Sequence, residues 1–298
     1  MSTTAEPSPL ALTPVATLSV AGARIANAAR LVAVHALLIL ALVFVLGPII
    51  WMLTTSVKPA NEIFQAGIDF MPRNPQPITN YSDAFASVPL LQFMMNGVIV
   101  CAGILVVQLL TSIPCAYALA KIRFRGAPVV FALVLLGLCI PIQVPALPLY
   151  LAFAQLGLLN TYLGLMLPFF LSVFAIFLFR QFFRSFPDEI IQAARVDGMS
   201  EFEIVWRVVV PSAWPAIAAF SVFSVTAHWN DLYWPLIVVS KDALATPPLG
   251  VAFFFDAETG SDFGSMMAAA TLVSAPLIIA FLVAQRQFIQ GITMTGLK

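Results

Sequence analysis

The chain has 298 residues, of which 61% are hydrophobic and 9% are charged, and its mean hydropathy is +0.97. Soluble domains are about half apolar, so this composition excludes an ordinary soluble protein and predicts membrane spans. The net charge is zero, which argues against nucleic acid as a partner because phosphate binding requires a basic excess. Three cysteines lie in apolar segments without the spacing of a disulfide framework or a metal site, so no metal is expected.

The chain begins with a polar tail and continues with apolar segments. Residues 1–30 are rich in Ala, Ser, Thr and Pro, which predicts a disordered tail. Residues 31–298 are predicted to form one transmembrane domain with six helical spans. The predicted spans are 31–54, 91–119, 128–148, 161–183, 212–239 and 264–285. Three prolines from Pro141 to Pro148 predict a kink or break in the third span.

Basic residues are unevenly divided between the two ends of these spans. The side rich in Lys and Arg is expected to face the cytoplasm. It holds Arg24, Arg30, Lys121, Arg123, Arg125, Arg180, Arg184, Arg195, Arg207, Arg286 and Lys298, against Lys58, Arg73 and Lys241 on the other side. The sequence therefore predicts cytoplasmic termini and a cytoplasmic loop over residues 185–211.

The loop 185–211 is unusual because seven charges gather there in an otherwise apolar chain. They are Asp188, Glu189, Arg195, Asp197, Glu201, Glu203 and Arg207. Two short helices are predicted. Ser185 is expected to cap the first helix and Gly198 to end it, while Ser200 and Glu203 fit a capping box for the second. Pro211 is expected to end the second helix.

The second loop helix has one apolar face, made by Phe202, Val205, Trp206 and Val209 at helical spacing. An exposed apolar face with a charged rim is typical of a docking surface. The same pattern is also typical of a surface helix that packs on its own bundle. The periodicity alone leaves both interpretations open.

The stretch "EIIQAARVDGMSEFEIVWRVVVPSAWP" resembles the cytoplasmic coupling loop of the membrane subunits of binding-protein-dependent ABC importers. In that family the loop seats in a cleft of the ATPase subunit and carries its movement to the spans. The matching coupling positions are Gln192, Ala193, Ala194, Asp197, Gly198, Val208, Val210 and Pro211. Gln192 stands where the family has Glu, so it keeps an acceptor oxygen but loses a charge-assisted bond.

Further segments resemble the carbohydrate branch of this family, nearest to the second permease of a maltose-type pair. They are "AYALAKIRFRG", "PLYLAFAQLGLLNTYLGLMLP", "WNDLYWPLIV", "TPPLGVAFF" and "RQFIQGITMTGLK". The resemblance implies an all-α, type I importer-like bundle of six transmembrane helices in the bacterial inner membrane, with a cytoplasmic coupling helix–turn–helix. The implied partners are a second permease, two copies of an ATPase subunit, a periplasmic or lipid-anchored solute-binding protein, and a sugar or polyol substrate.

The chain has no G-x-x-x-x-G-K-[ST] motif, so it has no phosphate-binding loop of its own. ATP and Mg would therefore be bound by partner subunits, with no cofactor in this chain. No catalytic residue is assigned, and the chain is interpreted as a transporter component and not as an enzyme.

Candidate residues of the substrate path cluster in the fifth predicted span, because polar groups within spans are costly and often functional. Aromatic faces stack on sugars, and amide or carboxyl groups bind hydroxyls. Trp229 and Trp234 are also typical of interface anchors, and Asn96 is also typical of polar contacts between helices. The predicted path residues are Trp229, Asn230, Asp231, Tyr233, Trp234, Asn96 and Gln143.

Two other function classes have weaker support in the sequence. A membrane-embedded enzyme would have to use His228 and Asp231, the one nearby acid–base pair, and the chain has only two histidines. A secondary transporter would usually show internal repeats and acidic residues for ion coupling within its spans. The sequence shows neither clearly, and the near absence of basic residues within the spans favours a neutral sugar or polyol over a phosphorylated substrate.

Overall fold

The computed structural model describes residues 15–64, 70–255 and 262–293, with side chains over 27–64, 70–255 and 262–283. These parts of the chain are helical and contain no strand. The chain separates into two units, Met1–Met52 and Leu53–Lys298. Helix α1 (Val15–Thr55) begins inside the predicted tail, so the backbone of residues 15–30 is helical, while residues 1–14 lie outside the described part.

The other helices follow in chain order. They are α2 (Ala60–Ile63), α3 (Pro77–Ser87), α4 (Leu90–Lys121), α5 (Ala127–Cys139), α6 (Ala146–Gln155), α7 (Tyr162–Met166), α8 (Val173–Ser185), α9 (Asp188–Val196), α10 (Glu201–Ser212), α11 (Trp214–Trp229), α12 (Tyr233–Val238), α13 (Pro247–Ala252) and α14 (Phe263–Thr293). Single 3₁₀ turns, Leu167–Phe169 and Asp242–Leu244, follow α7 and α12.

Three helical segments are long and apolar enough to cross a membrane alone: Asn27–Thr55, Leu90–Lys121 and Phe263–Val283. Two bent pairs raise the number of spans in the described residues to as many as five. The first pair, α7 with its 3₁₀ turn and α8, is bent by 44° and corresponds to the predicted fourth span. The second pair, α10 and α11, is bent by 82°. Six spans therefore stay a prediction.

The predicted third and fifth spans are both interrupted. Residues 128–148 fall on α5 and α6, which are separated at the Pro141–Pro148 segment, so the predicted break there is confirmed. Residues 212–239 fall on α11 and α12, with a break over Asn230–Leu232 that the sequence analysis did not predict.

Helix α4 is the central element, and a different core packs at each of its ends. Its 32 residues span about 48 Å at 1.5 Å per residue. Tyr117, near its last residue, is buried with Phe183 of α8 and Ile204 of α10. Phe93, near its first residue, is buried in a second cluster with Trp234 of α12. One continuous helix, with Pro114 inside it, therefore joins the loop of α9 and α10 to the opposite end of the bundle.

Two predictions about the boundaries of the loop helices were wrong. Ser185 is the last residue of α8 and donates to the carbonyl of Phe182, so Pro187, and not Ser185, precedes α9. Pro211 does not end α10, which continues to Ser212 before the sharp bend. The backbone before Pro211 widens into a π-helical segment over Ile204–Val209. Proline has no N–H for the usual i→i−4 hydrogen bond, and widened turns tolerate such a residue within a helix.

Candidate functional site

The turn between α9 and α10 has the local geometry that its sequence predicts. Gly198 has φ of +81°, a left-handed conformation that favours glycine. The N–H of Met199 bonds to the carbonyl of Ala194 at 3.1 Å, which closes the end of α9. The capping box is confirmed, since Glu203 N–H donates to Ser200 Oγ at 3.3 Å and Ser200 N–H donates to Glu203 Oε2 at 3.1 Å. The loop is therefore a fixed helix–turn–helix.

The predicted apolar face of α10 is divided between the bundle and the surface. Val205 and Val209 are buried in the core cluster, and Trp206 is half-buried beside them. Phe202 is 71% exposed, and Val196 at the end of α9 is 87% exposed. Val205, Trp206 and Val209 therefore pack on the bundle of their own chain, as one of the two interpretations of α10 predicted. Phe202 and Val196 are left as an apolar surface beside the Gly198 turn.

The predicted coupling residues lie around this turn. Gln192, Ala193, Asp197, Gly198 and Pro211 are exposed, Val208 is half-buried, and Ala194 packs into the core. Gln192 also lines a cavity of about 590 Å³ between α9 and the end of α4, together with Lys121, Arg123 and Arg195. The exposed positions Gln192, Ala193, Asp197 and Gly198 lie on α9 and its turn, whereas Pro211 lies near the end of α10.

Both loop helices are joined to the end of α4 by polar contacts. The ammonium of Lys121 donates to Asp188 of α9 and to the carbonyl of Phe186, the latter at 2.6 Å. The hydroxyl of Tyr117 donates to Glu201 Oε2 of α10 at 2.7 Å. Arg195 Nε donates to Glu201 Oε1, also at 2.7 Å. The hydrogen bond from Lys121 lowers the pKa of Asp188 below its ordinary value.

The break over Asn230–Leu232 is where the predicted substrate residues gather. Asn230 is exposed, and its amide donates to the carbonyl of Thr226 at 2.9 Å. Asp231 is half-buried, and its carboxylate accepts the N–H of Trp234 at 3.3 Å, which caps α12. Tyr233 is 39% exposed. The break therefore presents an amide, a carboxylate and a phenol close together.

The two tryptophans of this region are internal. The indole N–H of Trp229 donates to the carbonyl of Val273 of α14 at 3.0 Å. The indole N–H of Trp234 donates to the carbonyl of Gly164 of α7 at 3.0 Å. Both rings are buried, so they pack between helices and contact neither the surface nor the exposed side of the break.

Asn96 is also internal, and it holds the loop between α12 and α13 against the start of α4. Its amide group donates to the carbonyls of Ala243 and Ala245 at 3.0 and 2.9 Å. Its carbonyl accepts the hydroxyl of Tyr162 at 2.6 Å. Gln143, by contrast, is exposed in the connection between α5 and α6. Of the predicted path residues, Asn230, Asp231, Tyr233 and Gln143 thus retain accessible polar groups.

A second polar contact set supports the bend between α7 and α8. The bend releases the carbonyls of Phe169 and Phe170 from helical hydrogen bonding. Gln108 donates to the first at 2.9 Å, and Thr111 donates to the second at 3.0 Å. Gln108 also accepts the hydroxyl of Ser224 at 2.6 Å. Unsatisfied carbonyls are costly in lipid, so these side chains stabilise the bent span.

No group of three His, Cys, Asp or Glu side chains that could hold a metal occurs in the described parts of the chain. Sequence reasoning missed Tyr117, Lys121 and Glu201 as loop contacts. Tyr117 and Glu201 are 84 residues apart, and Tyr117 lies in an apolar segment. The charge of Glu201 in the loop was the one signal that pointed to this pair.

Comparison with known proteins establishes the family. Residues 108–294 match the family model described as binding-protein-dependent transport system inner membrane component. The chain belongs to this family and is a membrane transport permease, not an enzyme. Membership implies a second permease subunit, an ATPase and a solute-binding protein as partners, and a location in the inner membrane.

Three curated relatives match more than four-fifths of the chain. The arabinooligosaccharide transport system permease protein AraQ of Halalkalibacterium halodurans is 32% identical over 254 residues, which cover 84% of this chain and 90% of AraQ. The diacetylchitobiose uptake system permease protein NgcG of Streptomyces coelicolor is 30% identical, covering 85% of this chain and 84% of NgcG. The sn-glycerol-3-phosphate transport system permease protein UgpE of Yersinia pestis is 30% identical, covering 87% and 94%.

A solved structure shows the same fold. It is the crystal structure of a bacterial ABC transporter involved in the import of the acidic polysaccharide alginate. The matched chain is 24% identical, the TM-score is 0.76, and the match covers 89% of this chain and 97% of that one. The predicted all-α importer fold is thus confirmed.

Proposed function

We propose that this chain is one of two permease subunits of an importer for a sugar or polyol. Two of the relatives are permeases of an arabinooligosaccharide transport system and of a diacetylchitobiose uptake system, as their names state. The chain would pair with a different permease and with two copies of an ATPase subunit. A solute-binding protein, periplasmic or lipid-anchored, would deliver the substrate to the side opposite the cytoplasmic termini.

The observation that carries this proposal is the exposed surface around the Gly198 turn. Ala193, Val196 and Phe202 leave apolar area exposed there, with Gln192 and Asp197 beside it. A surface of this kind, fixed by a capping box and a left-handed turn, suits docking into a cleft of another protein. The docked partner is the ATPase subunit, and Gln192 would contact it through a neutral amide.

Transport would proceed by alternating access. ATP binding in the partners draws the coupling loops of the two permeases together, and the bundle then opens towards the binding protein. The substrate path would pass the break over Asn230–Leu232, where Asn230, Asp231 and Tyr233 offer groups for sugar hydroxyls. Broken helices at membrane depth are tolerated where they line a cavity, which supports this placement.

A phosphorylated polyol is the second candidate substrate, because UgpE is an sn-glycerol-3-phosphate permease. The accessible groups at the break favour a neutral solute, since Asp231 contributes a carboxylate where an anion would need a cation. Competition binding to the partner solute-binding protein distinguishes the candidates. We expect neutral sugars or polyols to compete, whereas competition by glycerol phosphate alone would reverse this choice.

The docking assignment is tested by affinity purification of the tagged chain from its native membrane, followed by mass spectrometry. Val196→Glu places a charge in the exposed surface beside Gly198. Ile78→Glu is the matched control, because Ile78 is 85% exposed in α3, which lies next to the first residue of α4. We expect the wild type and Ile78→Glu to retain an ATPase subunit and a second permease, and Val196→Glu to lose the ATPase. Retention of the ATPase by Val196→Glu would contradict the assignment.

A further inference from the structure

The coupling loop is attached to α4 at two separate points. Lys121 holds the first residue of α9, and Tyr117 holds the first residue of α10. We infer that the Tyr117–Glu201 hydrogen bond is the contact through which loop movement enters the membrane bundle, by way of α4. Tyr117 and Glu201 are then positioning residues for coupling, an assignment that rests on the proposed function.

The links along the chain are poorly suited to transmit such a movement. Between α10 and α11 the helix axis bends by 82° at Ala213, after the π-helical segment Ile204–Val209 and the short α-helical stretch Val210–Ser212. Between α8 and α9 the chain runs through Phe186 and Pro187 in extended conformation. A bend or an extended linker can absorb a displacement by small changes of its dihedral angles. The side-chain contacts with α4 do not pass through either connection.

The Glu201 carboxylate is held on both of its oxygens. Oε2 accepts from the phenol of Tyr117, and Oε1 accepts from the guanidinium of Arg195 on α9. Hydrogen bonds to an ionised group are shorter and stronger than neutral ones. Tyr117 itself is 2% exposed, and its ring packs edge-on against Phe183. Glu201 therefore joins both loop helices to one buried point of the bundle.

The other end of α4 is fastened equally firmly. Asn96 holds the carbonyls of Ala243 and Ala245 in the loop between α12 and α13. At 1.5 Å per residue, Tyr117 and Asn96 lie about 32 Å apart along the helix. A displacement of Glu201 would thus be carried by one helix to the loop that follows α12. This geometry links the ATPase side to the outward side without a separate mobile element.

Tyr117→Phe removes one hydroxyl and keeps the ring packing, so it isolates the hydrogen bond. Tyr81→Phe is the matched control, because its hydroxyl bonds to Ser56 Oγ at 3.2 Å in another part of the structure. The complete transporter with its native partners is reconstituted in proteoliposomes. Three quantities are measured: the amount of ATPase subunit that stays in the complex, the rate of ATP hydrolysis, and the number of solute molecules transported per ATP.

We expect Tyr117→Phe to retain the ATPase but to move about tenfold less solute per ATP, the factor typical of one lost hydrogen bond to a charged group. Glu201→Gln removes the carboxylate charge from the contacts with both Tyr117 and Arg195, so it should show at least the same loss. The double variant should match Glu201→Gln, because Tyr117→Phe then removes a contact that is already weakened. Tyr81→Phe should match the wild type.

Two results would overturn the inference. In the first, Tyr117→Phe and Glu201→Gln move as much solute per ATP as Tyr81→Phe. In the second, both variants lose the ATPase subunit from the complex, which would make the contact part of the docking structure and not of transmission. Absence of an ATPase from the wild-type complex would instead refute the proposed function, so the two failures are distinguishable.

Discussion

The left-handed turn at Gly198 should tolerate few other residues. A Cβ added at Gly198 would meet no atom within 4 Å, so a substitution there costs backbone energy and causes no clash within the chain. At φ of +81° an L-residue costs about 1–2 kcal/mol, with Asn less penalised than other residues and β-branched residues penalised most. We therefore expect the order Gly, Asn, Ala, Val for correct turn formation.

The assay is the affinity of the purified ATPase subunit for the permease complex, measured for the three Gly198 variants. About 1.4 kcal/mol corresponds to a tenfold change in an equilibrium constant. Gly198→Ala should weaken binding about tenfold, Gly198→Val more, and Gly198→Asn least. Gly47→Ala is the control, because Gly47 lies in α1 with nothing near its Cβ position, and it should leave binding unchanged.

The series separates backbone strain from crowding at the docking surface. Crowding would follow side-chain size, so Gly198→Ala would then bind better than Gly198→Asn. That order, or equal weakening by all three variants, would refute the reasoning from φ.

Three further predictions concern other contacts. Asn160 has φ of 55°, and its side chain accepts the backbone N–H groups of Ser240 and Lys241. Asn160→Gly permits this backbone conformation but removes the amide, so it should lower the melting temperature in detergent, and Asn160→Ala should lower it further. Equal melting temperatures for the two variants would contradict this. Gln108→Leu should lower the free energy of unfolding by about 1–3 kcal/mol, because the carbonyl of Phe169 loses its hydrogen-bond donor. Urea titration measures this change, and an unchanged unfolding midpoint would show that the bend does not need the Gln108 contact. The pKa of Asp188 is lowered in the folded state, so its contribution to stability is present above its ordinary pKa near 4 and is lost as the pH falls through the lowered pKa. Asp188→Asn should therefore reduce the fall of the melting temperature at acid pH, and an unchanged fall would exclude the Lys121 contact as its source.

The sequence predicted the features that depend on neighbouring residues. The capping box needs only Ser200 and Glu203 three positions apart, and the end of α9 needs only a glycine. The composition likewise predicts apolar helices, because lipid leaves few alternatives. These signals lie within one turn of chain, so they are readable without a tertiary structure.

The features that the sequence did not predict depend on contacts between residues far apart in the chain, or on how a helix accommodates a proline in its interior. Pro211 predicts a helix end, but the π-helical segment before it lets α10 continue to Ser212. Asn96 and Trp234 look like path residues by type, yet both bond to backbone carbonyls of other segments. The Tyr117–Glu201 pair joins residues whose proximity only the folded bundle creates.

The central claim is that this chain moves solute only as part of an ATP-driven complex. The most direct measurement is uptake of labelled carbohydrate into proteoliposomes that hold the chain alone, or the chain with its second permease, ATPase and solute-binding protein. The account predicts accumulation only with all components and ATP, and none when any one is omitted. Accumulation by the chain alone, driven by an ion gradient without ATP, would contradict it.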